Sequence, residues 1–242
     1  MNESPSNLEI DENINIHMNA KLISYSKPFE KMEGVNDAKD LIAYCARVSN
    51  PSNQTNDKTA EKLLRYLKKH KHWSPFEMVS ACLEIETTRD IARQILRHRS
   101  FSFQEFSQRY ANPVEELEFA LKECRLQDYQ NRQNSIEIES DPNTQGDQRL
   151  TGLIVDWQRK QRGIINQAKA AYEWAIENGI AKEQARAVLP EGLTVSRLYM
   201  NGTLRSWIHF IELRCGPETQ KEHRQVAFAC AKAIAEIFPD IR

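Results

Sequence analysis

Neither charge sign is in excess in this chain: 33 lysines and arginines against 34 aspartates and glutamates leave a formal net charge of -1 over 242 residues. A general polyanion binder carries a basic surplus, so any anion binding must come from local arginine clusters rather than the overall field. No apolar run approaches the ~20 residues that span a bilayer. Residues 1–15 are polar and acidic, without the apolar core of a signal peptide. Together these absences predict a cytoplasmic protein that engages no membrane. The five cysteines, Cys45, Cys82, Cys124, Cys215 and Cys230, form no Cys-x-x-Cys pair. Neither a zinc knuckle nor a redox dithiol is indicated, and they read as buried thiols in a reducing compartment. His70 and His72 flank a lysine run and read as a solvated face, and His17 and His223 lack partners at ligand spacing, so no metal site is expected. There is no Gly-rich dinucleotide fingerprint either.

What is present is ordinary for a soluble globular protein, 40% hydrophobic and 28% charged residues, in a chain long enough for one sizeable core. We read a loose arm over 1–15 and a single α+β domain over 16–242, with a polar stretch at 123–148 that lacks a hydrophobic period and reads as an irregular insertion. Alternation predicts strands over 16–25, over 79–86 and over 194–200. Helical spacing predicts helices over 37–48, 57–70, 147–177, 181–188, 204–213 and 219–238. A further helix follows Thr87, which reads as its N-cap with Asp90 as capping partner, and runs into Arg97-His98-Arg99. Trp157, Tyr172 and Trp174 fall at helical spacing and read as core.

The chemistry concentrates in residues 94–110, which hold three arginines, a histidine, a glutamate and three serines. Arginine offers a planar fork of donors that matches a carboxylate, a phosphate or a uracil edge. If residues 101–110 are extended, Glu105, Ser107 and Arg109 share one face, an acceptor, a hydroxyl and a cation in a row that suits a phosphorylated ligand. Basic residues are also favoured at helix C-termini, so Arg97, His98 and Arg99 admit a reading as end-of-helix charges.

Arg97-His98-Arg99, seven intervening residues and Ser107 resemble the signature of flavin-dependent thymidylate synthases, and Glu105-x-Ser107-x-Arg109-Tyr110 is similar to its continuation. Ser74-Pro75-Phe76-Glu77, Ala185-Arg186-x-Val188-Leu189-Pro190, and Leu204-Arg205-Ser206-Trp207-x-His209-Phe210 with Arg214, Gln220 and Glu222 resemble further family segments in the same order. The similarity covers residues 35–238 and is weak across 123–148. It implies an antiparallel-rich sheet flanked by long helices, assembled as a homotetramer whose active sites are shared between subunits. It also implies conversion of dUMP to dTMP, with 5,10-methylenetetrahydrofolate as carbon donor and NADPH-reduced FAD as hydride source. By the same resemblance Gln94, Arg97, Glu105, Ser107, Gln108, Arg109, Arg186 and Arg214 hold dUMP. Ser74, Arg97, His98, Arg99, Glu105, Thr203, Arg205 and His209 contact FAD. The chain departs from the family pattern at Met78, where many members have His, and at Thr203 and His209, where Asn is frequent.

Uracil methylation needs an activated ring carbon, and Arg214 is the residue assigned to stabilise negative charge on the ring. The competing reading of Arg214 is an ion pair with Glu212 or Glu218. Ser107 is assigned to dUMP binding rather than to nucleophilic attack, which would need a nearby base such as His98. Two other classes remain open on the residues alone. One is a nucleic-acid module stacking bases on Phe101, Phe103 and Phe106, which the near-neutral charge disfavours. The other is a non-catalytic assembly protein, which the concurrence of Arg186, Arg205 and Arg214 disfavours.

Overall fold

The computed structural model describes residues 18–138 and 147–239. The expected arm, the beginning of the first strand, His17 and part of the expected insertion lie outside them. In chain order the elements are β1 (Asn19–Tyr25), α1 (Ala38–Ala46), α2 (Ala60–Lys69), β2 (Ser80–Thr88), α3 (Arg89–Ile95), β3 (Ser102–Glu105) and α4 (Pro113–Glu116). There follow β4 (Arg125–Gln127), β5 (Ser135–Glu137), α5 (Gln148–Glu177), α6 (Lys182–Ala185), β6 (Val195–Thr203), α7 (Leu204–Arg214) and α8 (Lys221–Ala235). Helices and antiparallel strands are mixed, as expected. The chain divides into two compact units, one holding Met18–Glu86, Arg93–Glu105 and the segment from Arg197 onward, the other Thr87–Ala92 and Phe106–Ser196.

The first unit is built on a sheet of order β1-β2-β6-β3, with β1 antiparallel to β2 and β3 antiparallel to β6. In β2 the alternation is realised: Ala81, Leu83 and Ile85 are buried, while Glu84 and Glu86 point the other way and meet Tyr199 and Arg197 of β6 at 2.7 and 2.6 Å. Helix α8 packs on β1 and on α7. The indole of the fully buried Trp207 donates to the Ala81 carbonyl at 3.0 Å, so burying that ring strands no polar group. Gly202 is required where β6 passes the Phe101 ring, because a Cβ there would lie 2.4 Å from a ring carbon.

In the second unit, α5 is a 30-residue helix whose N-terminus is capped by Asp147, which accepts from the Arg149 amide at 2.8 Å. It ends at Asn178 and Gly179, the latter in the left-handed region at φ 76°, as the sequence predicts. Tyr172 and Ala175 pack with Ala185 and Leu189, and Leu150 and Ile154 pack with Ile138. Gln161, buried in mid-helix, clamps the Lys122 backbone by accepting from its N–H at 2.7 Å and donating to its carbonyl at 3.0 Å.

Several expectations are corrected. The strand runs on through Thr87 and Thr88, both buried, and so absorbs the predicted cap, and it is the Thr88 hydroxyl that bonds the Asp90 carboxylate. The extended stretch stops at Glu105; beyond it Tyr110 and Ala111 turn back to donate to the Ser107 carbonyl at 3.1 and 3.0 Å. Glu105, Ser107 and Arg109 therefore do not share a strand face. Within 123–148 the backbone forms a hairpin, β4 against β5, whose loop is pinned by Asp128 accepting from the amides of Gln130 and Asn131. Tyr172 is core, but Trp157 and Trp174 are 41% and 60% exposed. Of the cysteines only Cys230 is fully buried.

Candidate active site

In the first unit the predicted residues converge on the turn that follows α3 and on α7. The helix ends at Ile95, which leaves Arg97 and Arg99 exposed on the turn and His98 directed inward, edge-on to Phe210 at 5.0 Å. Arg214, in the last turn of α7, donates from Nε to His98 Nε2 at 2.9 Å. That bond requires a bare Nε2, so the His98 proton sits on Nδ1 and the ring is neutral. Burial first, and the Arg214 charge second, push the His98 pKa down to about 4. The Arg214 guanidinium is itself held below its ordinary value by partial burial and by the neighbouring Arg97 charge. Among the described residues no carboxylate pairs with Arg214, so the reading of an ion pair with Glu212 or Glu218 is not realised. The His98 lone pair is already engaged, which leaves no base at that ring to activate a serine.

Gln94 is half-buried and bonds Gln220 at 2.8 Å. Glu105 is held by Arg93, whose guanidinium reaches its carboxylate at 2.6 Å. Thr203 caps α7 by accepting from the Ser206 amide at 3.3 Å and donates to Glu77 at 3.0 Å, while Arg205 reaches the other Glu77 oxygen at 2.6 Å. Ser74 opens the one-turn helix that carries Glu77, and Trp73 just before it meets the exposed His209 ring edge-on at 4.7 Å. Exposed guanidinium groups, hydroxyls and a wall of rings form a donor set suited to a phosphorylated ligand with a planar portion.

In the second unit Ser107, Arg109, Tyr110, Ala181, Lys182 and Glu183 line a cavity of about 440 Å³. Arg109 pairs with the Glu183 carboxylate at 3.3 Å, Arg186 donates to the Glu183 carbonyl at 3.4 Å, and Lys182 donates to the Tyr110 carbonyl at 3.0 Å. Arg109 and Glu183 are both well exposed, so their pair is weak and its cation is available to a stronger anion. Gln108 differs from these neighbours: it is 3% exposed, and its Nε2 meets no hydrogen-bond partner among the described residues.

Three side chains that bond the predicted residues were not singled out from the sequence. Glu77 lies inside a motif already quoted and anchors both Thr203 and Arg205. Arg93 lies one helical turn before Arg97 and holds Glu105. His223 has no partner at ligand spacing, yet it is fully buried, 6.3 Å from the His98 ring and 3.2 Å from Gln94. Burial first, then the Arg214 charge and His98, bring its pKa to about 3. The available signal was its place three residues after Gln220, the spacing of neighbours on a helix.

Residues 30–240 match the family model described as thymidylate synthase complementing protein. A probable flavin-dependent thymidylate synthase of Paramecium bursaria Chlorella virus 1 is 50% identical over 225 residues, covering 93% of this chain and 97% of the relative. The flavin-dependent thymidylate synthase of Synechocystis sp. (strain ATCC 27184 / PCC 6803 / Kazusa) is 45% identical over 233 residues, with the same coverage of 93% and 97%. Among solved structures, the UMP/dUMP methylase PolB from Streptomyces cacaoi, bound with 5-Br dUMP, superposes with a TM-score of 0.68 at 27% identity, covering 93% of this chain and 92% of that one.

Proposed function

Because this chain belongs to the thymidylate synthase complementing protein family, the flavin-dependent thymidylate synthases, we propose that it methylates dUMP to dTMP. The carbon donor is 5,10-methylenetetrahydrofolate and the reductant NADPH. The observation that carries the reading is the state of Arg214: a partly buried cation whose neighbours are a neutral His98 and a second cation, Arg97, with no carboxylate to neutralise it among the described residues. A positive charge left uncompensated and partly desolvated is suited to stabilise charge that develops on a ligand. On a uracil ring it favours the ionised, enolate-like form whose C5 is nucleophilic. Gln94, Arg97 and Glu105 complete the uracil side of the assignment. Ser107, Gln108, Arg109 and Arg186, in an active site drawn from different subunits, supply the hydroxyl, amide and guanidinium donors that a monophosphate takes.

Bound FAD, once reduced, supplies the hydride. The residues present fit this group. Arg97, Arg99 and Arg205 offer cations to its diphosphate, Ser74 and Thr203 offer hydroxyls, and His98 and His209 offer ring faces and edges. Glu77 keeps the Arg205 fork from swinging free. Thr203 stands where Asn is frequent in the family; its hydroxyl proton goes to Glu77 and one lone pair to the Ser206 amide, so what it keeps for a ligand is an acceptor. His98, being neutral near pH 7, adds no charge that would compete with Arg214 for an anion.

The chain acts as a homotetramer with residues of each active site drawn from different subunits. The exposed Leu153, Trp157, Ile164 and Trp174 of α5 supply apolar surface that another copy covers. Light scattering should return four times the chain mass of 28.1 kDa, and a monomer at working concentration would rule the assembly out.

Replacing Arg214 by Ala tests the assignment of the ring-stabilising charge. Turnover should fall by ~10²-fold or more while the protein keeps its flavin absorbance. Normal turnover in that variant would remove Arg214 from the mechanism.

A further inference from the structure

Four side chains of the first unit form a hydrogen-bond chain, Glu222–Gln220–Gln94–His223, that holds Gln94 from both sides. Gln220 donates from Nε2 to the Glu222 carboxylate at 2.9 Å, Gln94 donates from Nε2 to Gln220 Oε1 at 2.8 Å, and His223 Nδ1 lies 3.2 Å from Gln94 Oε1. A carboxylate only accepts, so Glu222 forces the amide nitrogen of Gln220 toward itself and the Gln220 carbonyl oxygen toward Gln94. That oxygen accepts, so the Gln94 nitrogen must face it and the Gln94 oxygen must face His223. His223 therefore carries its proton on Nδ1 and donates. Its other nitrogen, Nε2, is buried and, among the described residues, without a partner, as the neutral tautomer leaves it. Each orientation follows from the one before, and the anchor is a residue only 3% exposed.

We propose that Glu222 and His223 are positioning residues that lock the polarity of the Gln94 amide and thereby set its preference for a uracil edge over a cytosine edge. A primary amide that could flip presents donor and acceptor in either order. With one lone pair given to His223 and one N–H given to Gln220, Gln94 keeps one N–H and one lone pair, in a fixed spatial order. Uracil offers an N–H at N3 between two carbonyl oxygens. Cytosine offers a bare N3 beside an amino group, the reverse order along the same edge. A locked amide matches one and leaves unpaired groups against the other, which is how a site built to hydrogen-bond discriminates most strongly. The inference rests on the assignment of dUMP to this site.

The test uses the FAD-loaded full chain and three variants. His223→Leu removes the donor at constant burial. Glu222→Gln replaces an obligate acceptor by an amide that accepts either order. His223→Asn puts an amide N–H close to where Nδ1–H was. In His223→Leu and Glu222→Gln the KM for dUMP should rise about tenfold with kcat within about twofold, the size expected for a lost orienting hydrogen bond. Inhibition by dCMP should strengthen relative to the parent, and His223→Asn should return KM toward the parent value. Thermal melting identifies any variant that has not folded, and the other variant then decides. Unchanged KM and unchanged dCMP inhibition in a folded His223→Leu or Glu222→Gln overturns the proposal, as does a fall in kcat at constant KM. Equilibrium dialysis of labelled dUMP against the parent separates the two ideas. If the parent binds no dUMP, the substrate assignment fails and this inference with it; if it binds and both variants bind as well, the inference alone fails.

Discussion

Two imidazoles and one guanidinium set the electrostatics around α7. His98 and His223 both have pKa values below the ordinary 6.5, near 4 and near 3, because burial and the Arg214 charge oppose a second positive charge. The sign of the consequence follows from linkage. The unfolded chain binds these protons near pH 6.5 while the folded chain refuses them, so stability is complete above that pH and is lost as pH falls toward the folded values. His223 alone should cost about 2–3 kcal/mol by about pH 4.5. Urea midpoints at about pH 7.5 and about pH 4.5 should differ accordingly, and His223→Asn, which cannot take the proton, should flatten the acid limb. Equal midpoints in the parent protein would show that His223 titrates normally. At this scale the motif resemblance singles out Arg97, His98, Arg99 and Arg214 in the sequence, and the structure brings Arg214 onto His98 at 2.9 Å. The sequence concealed His223, whose partners lie on a different segment, and Glu77 and Arg93, whose importance exists only once Arg205 and Glu105 have been folded against them.

Among elements, those with a strong period were legible and those without were not. β2 alternates cleanly, and α5 runs its full 30 residues between a capping Asp147 and a left-handed Gly179. The hairpin of β4 and β5 has strands of three residues each, too short to show a period, and its order comes from Asp128 gathering loop amides. Aromatic spacing continues past Glu105 to Phe106, but the pairing of β3 with β6 ends at Glu105, so the extended stretch is shorter than the sequence predicts. Where β6 leads into α7 the tightest contact is Gly202 under the Phe101 ring, and that ring packs on Trp207 at 4.8 Å. Gly202→Ala should destabilise the protein by about 1–3 kcal/mol through overpacking. A melting temperature equal to the parent's would mean that the ring moves aside without cost.

For the whole molecule, the sequence conveyed fold class and family together, since the motifs that identify the family are also the segments that place its arginines. It did not convey the division into two units, because each is assembled from separated stretches of chain and no linker composition marks their limits. The exposure of Trp157 and Trp174 was likewise hidden, because helical spacing of apolar residues reads the same for a face turned to the chain's own core as for one left exposed. The reaction proposed for the chain is a flavin-dependent methylation of dUMP around an uncompensated Arg214. Its most direct test is to incubate the purified protein with dUMP, 5,10-methylenetetrahydrofolate, FAD and NADPH, and to omit each in turn. The account predicts dTMP in the complete mixture and none when dUMP, the folate or the reductant is left out, with flavin-stripped protein inactive until FAD is restored. A folded, flavin-loaded protein that forms no dTMP, or one that forms it equally well without flavin, contradicts it.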